Sequence, residues 1–292
     1  MTAVALGRRR QRRFAPAAAI ASLPTRVLVS LIFLGIAASM LFPLYITIIT
    51  SFKTLSDYQG NSLGLPKTWT WHNFAAAWTQ GNMGEYARNS AVVTGIGLVM
   101  LVVVVLPAGY AFAKLEFPGR RVLLAAIISI VVISPNLQVV PIFKMAADYH
   151  LVDNQAGLSL VYVSFSLPFG IYLMSSYFEG VPSTIFDAAR VDGAGALTTF
   201  LRIAVPIARP GLLTLLTFSF LGFWNEYLFG LIILLDPNKR TLPVGVASLQ
   251  SESYTSQPLL SAGLVITMIP CVLIFLLLQR NLNEGLTAGA VK

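Results

Sequence analysis

Six stretches of this 292-residue chain run for more than twenty residues without a lysine or arginine: 27–50, 90–113, 122–143, 156–178, 211–235 and 259–279. Only one acidic residue, Glu226, falls inside them. A hydrocarbon layer about 30 Å thick is crossed by ~20 apolar residues of α-helix. In lipid the backbone polar groups must be satisfied within the segment, which helices achieve and open strands do not. None of the six alternates with the two-residue period of a barrel strand. The pattern predicts an all-α integral membrane protein of six transmembrane helices. Composition agrees, with 56% of residues hydrophobic and 11% charged, against roughly 25% charged in soluble domains. Three regions follow: a basic N-terminal segment, 1–26, the spanning domain, 27–279, and a tail, 280–292.

Charge orients the helices. Six spans put both termini on one side, and fourteen of the twenty Lys and Arg fall in the segments on that side, led by Arg8 to Arg13 and by KLEFPGRR, residues 114–121. Basic residues concentrate in short cytoplasmic segments, so both termini are expected in the cytoplasm of a multi-pass cell-membrane protein. The net charge of +8 is thereby accounted for by topology and anionic lipid head groups, and it does not indicate nucleic acid. The apolar run after the N-terminal arginines is too long for a secretory signal and is expected to remain as the first span.

Several chemistries lack their residues. Cys271 is alone, and His72 and His150 lie in separate loops with no metal-ligand spacing, so neither a disulfide nor a metal site is expected. No G-x-x-x-x-G-K-[ST] stretch is present to cradle phosphates. A convergent set of nucleophile, base and metal ligands, as an enzyme requires, is missing too.

The most polar interruption is DAARVDGAGALTTFLRIAVPIARP, 187–210, which carries Asp187, Arg190, Asp192, Arg202 and Arg209. Pro182 is followed by Ser183 in the N-cap position, and a short helix is predicted to run to Asp192 and stop at Gly193. Asp187 suits the positive end of its dipole and pairs weakly with Arg190. Ala188 and Ala189 leave its middle without bulk. After Gly195 a second short helix places Phe200, Ile203 and Val205 on one face before Pro206 and Pro210 break it. Two short helices at a glycine hinge form a knob with a small-residue face, suited to a groove on another protein. An amphipathic helix lying on the membrane satisfies the same pattern.

Polar residues inside the spans mark a candidate path. In SPNLQVVP, Pro135 and Pro141 remove backbone bonds while Asn136 and Gln138 bring polarity to membrane depth, as in helices that line a cavity. An intramembrane carboxylate such as Glu226 costs about 2.5–3.5 kcal/mol on insertion scales and is expected to face the bundle interior with a partner. It would serve either ion coupling or a structural role near an outer gate beside Trp224 and Asn225. Outside, 51–89 with Trp69, Trp71 and Trp78 reads as a loop holding an interfacial helix.

Asp187-Ala188-Ala189, Asp192-Gly193-Ala194, Phe200, Ile203, Pro206 and Pro210 are similar to the cytoplasmic EAA loop of ABC importer permeases, and more narrowly to the smaller sugar permease subunit of the maltose type. FWNEYL, 223–228, and the terminal GLTAGAVK, 285–292, are also similar to that subgroup, and the likeness runs from about residue 27. The resemblance implies a type I ABC importer permease bundle for a sugar or oligosaccharide. Its coupling helix would seat Asp187, Ala188, Ala189, Arg190, Asp192, Gly193, Ala194, Phe200 and Pro206 in a cleft of an ATPase. Asp187 stands where the family usually carries Glu, one methylene longer. Gly285, Leu286, Thr287, Gly289 and Lys292 would reach the same ATPase, and 236–258 would meet a binding protein. Implied partners are a second, different permease, two ATPase copies that use ATP and Mg, and an extracytoplasmic solute-binding protein. No cofactor is expected on this chain, and it is not expected to be an enzyme. The alternative, a cation-coupled sugar symporter using Glu226, would call for repeated halves that the sequence does not show.

Overall fold

A computed structural model describes residues 23–251 and 256–290, with side chains for 24–249 and 256–279. The described elements are all helical. The chain divides into an N-terminal unit ending at Thr47 and a larger unit beginning at Ile48. Helix α1 (Leu23–Ser51) supplies the described part of the first. Its exposed Leu28, Phe33, Leu34, Met40 and Leu41 surround it with hydrocarbon, which suits lipid as solvent.

In the larger unit, short helices α2 (Leu55–Gly60) and α3 (His72–Thr79) precede the long α4 (Met83–Lys114). Next come α5 (Arg120–Ser129), α6 (Val139–Asp148) and the long α7 (Gln155–Glu179). The polar island holds α8 (Ser183–Val191), α9 (Ala196–Thr199), a π-helical turn at Phe200–Ala204 and α10 (Val205–Ile207). Then follow α11 (Arg209–Trp224), α12 (Leu228–Ile233), α13 (Leu242–Ser251) and α14 (Gln257–Ala290).

The core is the pair α4 and α7. They approach closely because Gly109 faces Met174, where an added Cβ would stand 2.6 Å from the Met174 Cβ, and Gly170 faces Val105. Ser159 Oγ lies between the helices and donates to the Val93 carbonyl at 2.9 Å. Small residues at a helix crossing replace the hydrophobic drive that lipid does not provide. Leu101, Leu158, Met174, Phe178 and Leu215 are fully buried around this seam.

At the end of the pair near Asn89, the connections are tied by polar side chains. Asn89 donates to the carbonyls of Asn238 and Arg240 at 2.7 and 3.1 Å and accepts from Gln155 at 2.9 Å. Segment 51–89 contains two helices where one was expected. Phe52 meets Trp69 and Trp71 of the connection before α3 and Phe74 of α3, with ring centroids 4.9–5.4 Å apart. Lys53 is wholly buried and donates to the Asn61 and Ser62 carbonyls at 2.6 and 3.1 Å.

Two of the six apolar runs are not continuous helices. Four described helices are long and apolar enough to cross a membrane, and six spans result only when two bent pairs are each taken as one. Run 122–143 turns by 89° between Val132 and Pro135, because the residue before a proline is driven from the α region and Ser134 takes ψ 130°. Run 211–235 ends its helix at Trp224 and restarts at Leu228. A 70° bend also joins 196–207 to α11 across Ala208, two residues before Pro210, which has no N–H to bond back to the preceding turn. By contrast Pro107, Pro168 and Pro270 lie inside α4, α7 and α14 without ending them.

Gly109→Val is expected to destabilise the purified protein by about 1–3 kcal/mol through overpacking, read as a lower unfolding temperature in detergent. Gly95→Ala, on the same helix with nothing within 4 Å, should leave it unchanged or raised. An undisturbed Gly109→Val would mean that α4 and α7 do not need this close approach.

Candidate functional site

The polar island folds as a compact knob. Ser183 is the first helical residue of α8 and Pro182 occupies the cap position, one residue earlier than expected. Gly193 has φ +80°, the left-handed conformation that glycine adopts without a Cβ clash. Its N–H donates to the Arg190 carbonyl at 3.0 Å, and that of Ala194 to Ala189 at 2.9 Å. This double closure stops the helix.

Aromatic rings fasten the knob to the core. Tyr110 of α4 meets Phe178 of α7 at 5.6 Å, Phe186 of α8 at 5.9 Å and Phe200 at 5.3 Å. Helix α11 also lies close on α7, since a Cβ at Gly211 would stand 2.6 Å from the Tyr177 ring. Two residues expected on the docking face therefore point inward: Ala189 is buried and Phe200 packs against Tyr110. The helical period turns positions 186 and 189 to the same side. Asp187, Ala188, Arg190, Asp192, Gly193 and Pro206 are exposed, and Ala194 is half-buried. Asp187 and Arg190 approach to 3.5 Å while both stay well exposed, a pair that contributes little. The sequence reading missed Val191 and Leu197, which are 88% and 70% exposed. Their signal was an apolar residue in a polar segment, and on α8 Val191 falls on the side opposite Phe186 and Ala189.

A second feature forms where two helices break. A cavity of about 220 Å³ is lined by Pro135 and Asn136 from the first break, Tyr162, Phe165 and Ser166 of α7, and Phe223, Glu226 and Phe229 from the second. Asn136 and Glu226 are thus brought together, but Gln138, Trp224 and Asn225 do not line this space. Trp224 is buried and donates to the Thr267 carbonyl of α14 at 3.1 Å. Asn225 ends α11 and donates to the Leu221 carbonyl at 2.8 Å, with Cys271 Sγ 3.4 Å away.

Glu226 has backbone partners. Its Oε1 accepts from the Phe229 N–H at 2.9 Å and its Oε2 from Gly230 at 3.0 Å. Both are first-turn groups of α12 that have no carbonyl partner within their helix, and a carboxylate there opposes the positive end of the peptide dipoles. The carboxyl group is held by a helix start, which an unbroken helix through 211–235 could not offer it.

Tail residues Gly285, Leu286, Thr287 and Gly289 fall on the backbone of α14, but their side chains, together with Lys292 and Arg8 to Arg13, lie outside the described residues.

Long apolar helices, a close-packed pair, two interrupted apolar runs and a helical knob define a helical membrane bundle. Residues 105–288 match the family described as binding-protein-dependent transport system inner membrane component, and the chain belongs to that family. It is 31% identical to the diacetylchitobiose uptake system permease protein NgcG of Streptomyces coelicolor, over 87% of this chain and 84% of the relative. It is 31% identical to the melibiose/raffinose/stachyose import permease protein MelC of Bacillus subtilis, over 88% and 93%. The trehalose transport system permease protein SugB of Mycobacterium tuberculosis is 34% identical over 83% and 89%. In fold the chain is similar to a chain of a bacterial ABC transporter involved in import of the acidic polysaccharide alginate. Their TM-score is 0.77 at 24% identity, covering 89% of this chain and 98% of that one. The cation-coupled alternative finds no support in these relationships.

Removing the cap in Glu226→Ala should cost about 0.5–2 kcal/mol, read by thermal unfolding in detergent. Glu226→Gln keeps one acceptor oxygen and should fall between this variant and the parent. Identical stabilities for all three would remove the capping role.

Proposed function

We propose that this permease forms half of the translocation pathway of an ATP-driven importer for a sugar or short oligosaccharide. The sugar class is supported by the names of the relatives, each a carbohydrate uptake permease. The chain carries no P-loop, so ATP and Mg belong to a partner ATPase present in two copies. A second, different permease completes the pathway, and a solute-binding protein delivers the sugar from outside. Both termini and the knob face the cytoplasm, the side with the larger share of basic residues.

The observation that carries this reading is the knob, anchored by aromatic rings and exposed on its outer side among the described residues. Asp187, Ala188, Arg190, Asp192 and Gly193 present a polar and small-residue surface beside the apolar tips Val191 and Leu197. Ala189 and Phe200 hold that surface from beneath, and Pro206 borders it. The C-terminal residues Gly285, Leu286, Thr287, Gly289 and Lys292 reach the same ATPase. Coupling is thermodynamic: the ATPase shifts the balance between inward-open and outward-open permease only through a difference in its affinity for the two. The cavity between Asn136 and Glu226 lies where spans are broken, the setting in which non-helical backbone lines a path for solute.

Copurification of the tagged chain from native membranes should recover a P-loop subunit whose hydrolysis rises with one sugar-loaded binding protein. A chain that elutes alone and carries sugar under an ion gradient would overturn the proposal. Gly193→Pro cannot adopt positive φ, and Val191→Asp puts a charge on an apolar tip. Both are expected to lower ATP-driven uptake by about tenfold or more with membrane insertion intact, the scale of a lost interface anchor. Glu226→Gln should retain ATP-driven uptake, and that uptake should persist when proton and sodium gradients are collapsed.

A further inference from the structure

Helix α8 buries only two side chains, Phe186 and Ala189, so Phe186 is the larger fastening between the knob and the bundle. Two residues one turn apart on α4 act on it. Tyr110 meets its ring edge-on, and the Lys114 ammonium lies 5.2 Å from its centroid. The same ammonium donates to the Val181 carbonyl at 2.7 Å. Val181 is the middle residue of the three-residue link between α7 and α8, and it is itself buried. Lys114 is also the last residue of α4. One cationic group thus joins the end of α4, the link leaving α7 and the anchor of α8. The facing charges are Glu179, which ends α7, and Arg120, which approaches Glu179 to 3.7 Å.

We infer that Lys114 is a positioning residue for the knob, a strut that fixes the angle of α8 against α4 and α7 so that movement of this pair reaches the docking surface. Its part in coupling rests on the reading of the knob as the ATPase-docking element, whereas its hold on α8 does not. A charge-assisted hydrogen bond is about twice as strong as a neutral one, and a cation over an aromatic face adds to it. Neither bond crosses the outer surface of the knob, so an effect of Lys114 on transport must pass through α8. The ring cage of Tyr110, Phe178, Phe186 and Phe200 remains when the ammonium is removed, so α8 stays attached but less sharply oriented.

The test uses the complete transporter, purified with its ATPase and binding protein and placed in liposomes. Lys114→Met keeps the apolar stem and removes the donor and charge, while Lys114→Arg restores both. A nitroxide on Thr184→Cys, exposed on the first turn of α8, reports the order of the helix in a Cys271→Ala background. The Met variant is expected to give a more mobile spectrum and about tenfold less solute moved per ATP hydrolysed, a loss of the size of one charge-assisted hydrogen bond. The Arg variant should recover both. An unchanged spectrum and stoichiometry in Lys114→Met, or no recovery in Lys114→Arg, overturns the inference. If Gly193→Pro abolishes uptake while Lys114→Met alters nothing, only the strut fails. If the label loosens and arginine restores it, yet Gly193→Pro transports normally, the docking reading fails and the strut's role in coupling falls with it.

Discussion

Helices α4 and α7 lie backbone to backbone where Gly109 faces Met174 and Gly170 faces Val105, and the remaining elements of the larger unit take their positions from that contact. In lipid, apolar side chains gain nothing by leaving the solvent, so helices associate through close packing and hydrogen bonds. Glycine permits the packing, and Ser159 adds a bond across the seam. From one end of the pair hang Asn89, Gln155 and the loop through Arg240. From the other hang Lys114, Tyr110 and the knob. Strain applied at either end is therefore delivered to the same two rods.

The broken spans follow a different rule. Backbone that leaves the helix in a membrane exposes groups that lipid cannot satisfy, so each break needs a substitute partner or access to water. At the second break Glu226 supplies two acceptors for the start of α12. The first break leaves Asn136 exposed beside a cavity that Glu226 also lines. Within FWNEYL, a junction between helices, Phe223 and Trp224 pack inward, Asn225 ends α11 and the Glu226 carboxylate accepts from the first turn of α12.

The knob combines both ideas. Its inner side is held by rings and one ammonium, while its outer side carries small, charged and apolar groups that are exposed among the described residues. If the knob docks a partner, as proposed, this division suits it, because a loosely held surface would absorb in its own motion what the partner applies.

Membrane solvent, the all-helical class and the punctuation of the knob at Gly193 were legible in the sequence, because each depends on local chemistry: run length, the lack of charges and the one residue tolerant of positive φ. Motif likeness led from there to the family. A broken helix around Pro135 was signalled by its prolines, whereas the inward turn of Ala189 and Phe200 and the interruption of run 211–235 were not legible. Hydropathy registers that a segment is apolar, and a proline in α7 that is tolerated reads the same as a proline at a break. Only the tertiary structure decided that helices end at Val132 and Trp224, that Glu226 faces two free N–H groups and that Lys114 reaches across to Val181. Those outcomes depend on which backbone approaches which, and glycines far apart in the chain determine that by leaving room for one another's neighbours.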